Sequence, residues 1–122
     1  MDEVRSAEGI KTLTKPFLEK GFAFEYTYQK GGDSSCVYVY RFRKGRDYFD
    51  WRETSGTYEI HLVVCVDGQF VFPNLYKKYK KETRAFAWKH LFKHADIAEK
   101  RTFFARLLCK ELQAESFYGI KL

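Results

Sequence analysis

The sequence is poor in proline and cysteine, with two prolines and three cysteines in 122 residues. Pro16 and Pro73 stand alone, so no Pro-rich linker is present, and no low-complexity segment or internal repeat divides the chain. Cys36, Cys65 and Cys109 are an odd number without CxxC spacing, which argues against a disulfide framework and suits thiols that act as small buried hydrophobes. No apolar run exceeds the length of 62–66, far below the roughly 18 residues a membrane span requires. The N-terminus lacks the apolar stretch of a secretory signal. These absences lead to the expectation of a cytoplasmic protein without a membrane partner. GxSxG, P-loop and GxGxxG patterns are also missing, so no reaction or nucleotide cofactor is announced, and no cofactor is expected.

What is present is aromatic. Twelve Phe, 9 Tyr and 2 Trp make 19% of the chain, within a composition that is 45% hydrophobic and 31% charged, which is globular rather than disordered. The length suits one core, and residues 1–122 are read as a single domain. The net charge of +6 is uneven: residues 1–75 carry 10 Lys/Arg against 11 Asp/Glu, whereas 76–122 carry 12 against 5. A polyanion partner therefore has its electrostatic footprint in the C-terminal part.

Three blocks follow along the chain. Ala7, Ile10, Leu13 and Phe17 recur at helical spacing over 2–20, with Gly21 as the stop. Pro16 either kinks this helix or opens a second short one capped by Thr14. Residues 22–72 alternate with period two and are punctuated by turns at 31–35, 44–45, 53–56 and 67–68, of which Asp67-Gly68 is a strong hairpin signal. A five-stranded antiparallel meander is the expectation. Pro73-Asn74 then opens a helix to about residue 95, and Asp96 with Glu99 forms an acidic capping box for a last helix over 97–115. N-terminal helix, meander and two C-terminal helices packed on the sheet make an α+β domain.

Two features go beyond a plain domain. The alternation places Phe22, Phe24, Tyr26, Tyr40, Phe42, Leu62, Val64, Phe70 and Phe72 on one sheet face, which must meet the helices. The other face collects Val37, Val39, Val63, Cys65 and Val71, with Phe49 and Trp51, or instead Tyr48, depending on register, and with Arg41 and Arg43 at its margin. Unless a helix covers it, this face resembles an interface for a protein partner or a homodimer, with Val39, Arg41, Arg43, Phe49, Trp51 and Val63 as its contact residues. The helix after Asn74 is the second feature. Its apolar residues change sides, from Leu75, Tyr79 and Phe86 to Trp88, Leu91 and Phe92, and one straight surface helix cannot bury both stripes. It either breaks near 82–84, or its second half is sandwiched between the sheet and the last helix, and Trp88 and Phe92 are expected to pack under that helix. Lys77, Lys78, Lys80, Lys81, Arg84, Lys89 and Lys93, with Trp88 beside them, could instead line up phosphates and stack a base.

The leading reading is a non-enzymatic binding module that uses the sheet face; the alternative is nucleic-acid binding through 75–95. Metal-dependent chemistry ranks third. His90 and His94 are one helical turn apart but lack the Glu of HExxH, and His61, Cys65 and Glu59 would have to join them. Asp50 with Glu59-Ile60-His61 approaches a PD-(D/E)xK nuclease pattern but has His where that pattern needs Lys. No metal site is expected.

Overall fold

The computed structural model describes residues 3–30, 36–54 and 59–122, with side chains over 7–27, 37–54 and 59–122. The turn read at 31–35 and most of that at 53–56 lie outside the described residues. Strands β1 (Ala23–Lys30), β2 (Cys36–Lys44), β3 (Asp47–Thr54), β4 (Glu59–Val66) and β5 (Gln69–Val71) form one antiparallel sheet in the order β1-β2-β3-β4-β5, the expected meander.

Register decides which residues share a face. Gly45, with φ +64°, and Arg46 make a two-residue turn between the paired Lys44 and Asp47, so Phe42 falls opposite Phe49 and Tyr40 opposite Trp51. Phe49 then faces Val64, and Trp51 faces Leu62. The grouping of Phe49 and Trp51 with Val39 and Val63 is thereby corrected: both aromatics lie on the helix-covered face and are fully buried. Tyr48 takes the outer position, opposite Arg43 and Cys65. Phe70 pairs with Cys65 and so belongs to the outer face rather than to the core, Val71 opposite buried Val64 belongs to the helix-covered face rather than the outer one, and Phe72, also expected in the core, is 72% exposed. The second two-residue turn agrees with its sequence signal, since Asp67 and Gly68 adopt φ +52° and +76° between the paired Val66 and Gln69.

The helices cover one face. α1 (Glu3–Leu13) and α2 (Lys15–Glu19) are separated at Thr14, whose buried hydroxyl donates back to the Ile10 carbonyl at 2.6 Å instead of capping α2. Phe17 of α2 meets Phe22, Phe49 and Phe117 edge-on, with centroids 5.8, 5.0 and 5.0 Å away. The last helix (Ile97–Lys110) opens with the expected Asp96–Glu99 capping box and packs Phe104 edge-on to Trp51 at 4.8 Å. Buried Glu53 of β3 locks it in place. Its carboxylate accepts from Arg101 Nε at 2.8 Å, Arg101 Nη2 at 2.7 Å and Trp51 Nε1 at 2.9 Å. A buried pair so fully hydrogen-bonded fixes how helix and sheet meet more than it adds net stability.

Two boundaries differ from the sequence reading. The segment from Leu75 is two helices, α3 (Leu75–Lys78) and α4 (Lys80–Lys89), broken at Tyr79 (φ −107°, ψ 60°) rather than at 82–84, and α4 stops before Leu91. The last helix, α5, ends at Lys110 rather than 115. The chain then makes a small hairpin of β6 (Ser116–Phe117) and β7 (Ile120–Lys121), turned by Tyr118 and Gly119 at φ +49° and +89°. Phe117 and Ile120 return to the core.

Candidate functional site

α4 settles which of its two apolar stripes is buried. Phe86 stacks on Phe103 of α5, centroids 4.3 Å apart, and Thr83 donates to the carbonyls of Tyr76 and Tyr79 at 3.2 and 2.8 Å. That side is the packed one. Lys81, Arg84 and Trp88, at i, i+3 and i+7, therefore share the opposite side, with Lys80 adjoining. Trp88 is 75% exposed and Phe92 98% exposed, so the expectation that these two pack under the last helix is corrected. Phe86 takes that place.

The basic residues divide. Lys78 is committed to the fold, because its ammonium donates to both oxygens of the Glu111 carboxylate at 2.7 and 2.9 Å. Lys89 lines the groove between α4 and α5 together with Glu82, His90 and Lys110, away from Trp88. Lys77, Lys80, Lys81, Arg84 and Lys93 are exposed, and none forms an ion pair among the described residues. The one carboxylate on α4, Glu82, turns to Lys110 at 3.4 Å. Lys81 and Arg84 thus share the side of Trp88, and the carboxylate of α4 does not.

Glu111, at the C-terminal end of α5, anchors α3 and the β6–β7 hairpin behind this surface. Besides Lys78 it accepts from the Tyr79 hydroxyl at 2.6 Å and from the Tyr118 hydroxyl. Burial opposes its charge, but the bonds from Lys78, Tyr118 and Tyr79 outweigh it and hold the carboxyl below its ordinary value. The bond to Glu111, with burial second, pushes the Tyr79 phenol up to about 12. Sequence reading missed this hub, because an acidic residue near a helix end gives no hint of partners 32 or 33 residues away.

The outer sheet face has no described helix across it, but it differs from the apolar patch expected. Arg41 donates to Asp50 through Nε and Nη2 at 2.8 and 3.0 Å, Arg52 reaches the same carboxylate at 3.3 Å, and Arg43 reaches Glu25 at 3.1 Å. The Arg41 guanidinium lies 3.9 Å from the Tyr48 ring centroid. The bond to Asp50 raises the Arg41 pKa. Val39 and Val63 are buried, so these two offer little apolar surface to a partner.

The metal-site fragments do not assemble. His90 Nε2 lies 3.3 Å from Glu99, His61 lies 3.3 Å from Glu59, and Cys65 is buried on the outer sheet face beside Tyr48. Among the described residues no three His, Cys, Asp or Glu side chains converge on one point. Asp50, bound by two arginines, is not presented to a cation. Tyr76 lines two grooves, of about 370 and 350 Å³, and its hydroxyl donates to the Ile60 carbonyl at 3.4 Å. No helix of the described residues is long and apolar enough to cross a membrane. No protein-family model, no curated protein and no solved structure matches the chain.

Proposed function

We propose that the protein is a non-enzymatic binding module that holds single-stranded nucleic acid along the exposed side of α4. The observation that carries this reading is Trp88, 75% exposed on the same helical side as Lys81 and Arg84, neither of which is ion-paired among the described residues. Such a side chain costs apolar hydration unless it meets a flat partner, and a nucleobase offers one. Lys80, Lys81 and Arg84 neutralise phosphates and release counterions, while the indole stacks on a base exposed only in a single strand. Lys77 on α3 and Lys93 beyond the end of α4 are exposed cations that stand before and after this track in the chain.

The reading is tested by fluorescence anisotropy of labelled oligonucleotides, single-stranded and duplex. Trp88→Ala should weaken single-strand binding by about 1–3 kcal/mol. Combined Lys80→Glu, Lys81→Glu and Arg84→Glu should abolish it, whereas Lys15→Glu on α2 should change it little. Trp51 is fully buried, so changes in intrinsic emission report Trp88. Stacking should quench that emission. A blue shift with anionic vesicles and no response to oligonucleotides would assign the surface to a membrane and overturn the reading.

Protein docking on the outer sheet face ranks second. The absence of a described helix across that face favours it, and Arg41, Arg43 and Tyr48 are residue types that anchor interfaces. Against it, Asp50 and Glu25 already engage the two arginines, and the aromatics Phe49 and Trp51 lie in the core.

A further inference from the structure

β5 is the edge of the sheet, and it is unlike the other edge. β1 carries the charged side chain of Glu25, of the kind that discourages an edge from pairing. By contrast no charged side chain occurs between Asp67 and Lys77, and Phe70, Val71 and Phe72 are 52, 47 and 72% exposed. In a two-residue hairpin the closing pair, Val66 and Gln69, is hydrogen-bonded, and so is the next but one, Val64 and Val71. The N–H and C=O groups of Gln69 and Val71 therefore turn toward β4. Those of Phe70 turn outward, and lengthening the strand by one residue on pairing with a neighbour would present those of Phe72 the same way. Pro73 falls where the following ladder bond to Leu62 would need an N–H, which explains why β5 stops at Val71.

We propose that two copies of the chain associate through β5, antiparallel about a two-fold axis at Val71, joining their two five-stranded sheets into one. The segment Phe70-Val71-Phe72 reads the same in both directions, so this axis sets Phe70 beside Phe72 of the second copy at both ends, aromatic against aromatic on one face. The outward N–H and C=O groups of these residues exchange hydrogen bonds, and Val71 meets its own equivalent. The contact is isologous and self-limiting. The net charge of +6 on each copy opposes association, and the edge limits that cost because no charged side chain occurs between Asp67 and Lys77. The surface is small, so association is weak and concentration-dependent. It is independent of the nucleic-acid reading, which uses α4.

Sedimentation equilibrium of the full chain from micromolar to millimolar concentration should show the mass rising from 14.5 kDa toward twice that value. Phe70→Lys with Phe72→Lys should stay at 14.5 kDa throughout, with an unchanged circular dichroism spectrum, since both rings are exposed. As an independent readout, Val71→Cys should cross-link through the two introduced thiols under mild oxidation, because such non-hydrogen-bonded pairs bring Cα atoms to about 4.5 Å, within disulfide range. Gln69→Cys, out of register with its own copy, should not cross-link. A monomer at millimolar concentration overturns the proposal and leaves the edge to a foreign strand. A dimer that survives the lysine pair overturns it too, by placing the contact elsewhere.

Discussion

At the scale of single residues, Glu111 carries the clearest energetic consequence. Three donors meet one buried carboxylate, so its folded-state pKa lies below the ordinary 4.5. A depressed carboxyl contributes stability above its unfolded pKa and loses it as pH falls through the folded value. Glu111→Gln should therefore cost about 1.5–3 kcal/mol at neutral pH. It should also flatten the fall in stability below pH 4.5, both measured by urea unfolding at a series of pH values. The Tyr79 phenol has the opposite sign. Its pKa is raised from 10.0 to about 12, so its contribution is complete below pH 10.0 and is lost as pH rises through about 12. None of this was legible in the sequence, where Glu111 reads as one more residue of a helix that in fact ends beside it.

Elements were legible where their signals are local. Asp96 and Glu99 satisfy each other's backbone N–H groups at 2.8 and 3.3 Å, as their spacing implies. Asp96→Ala should cost about 1 kcal/mol, seen as a lower urea midpoint with an unchanged slope. Asp67-Gly68 is legible for a similar reason, because both residues tolerate positive φ and a two-residue turn needs it twice. Tyr118-Gly119 also turns through two positive φ values, but apolar spacing that continues past Lys110 through Leu112 reads as helix up to it. The break at Tyr79 had no local mark. It arises because Tyr79 reaches Glu111 and Thr83 turns back to the Tyr76 carbonyl, contacts that only the docking of α3 and α4 on α5 creates.

For the whole molecule, charge distribution is the property with a measurable outcome. If the phosphates contacted number about 5, the slope of log affinity against log salt is about −3.5, and binding weakens about 100-fold between roughly 50 and 200 mM salt. Removing Lys81 or Arg84 should each reduce that slope by about 0.7, whereas Lys78, already held by Glu111, should leave it nearly unchanged. The outer sheet face is charged too, but its arginines are met by Asp50 and Glu25, so it adds little to the field. Of the basic side chains counted over 76–122, Lys80, Lys81 and Arg84 lie on or beside the exposed side of α4, while Lys78 and Lys89 turn to other partners.

Periodicity, turn chemistry and caps determined that this chain makes a meander with helices at both ends, since period two, paired turn residues and a capping box each act within a few neighbouring residues. They could not determine which aromatics form the core. A slip of one residue in the β2–β3 turn would exchange Phe49 and Trp51 for Tyr48 and Asp50, and only the ladder between Phe42 and Phe49 chooses. Nor could they rank the two stripes of α4, because Phe86 and Trp88 are equally apolar as letters. Tertiary packing decided it: Phe103 offers one ring-sized partner, Phe86 occupies it, and Trp88 is left facing outward among cations.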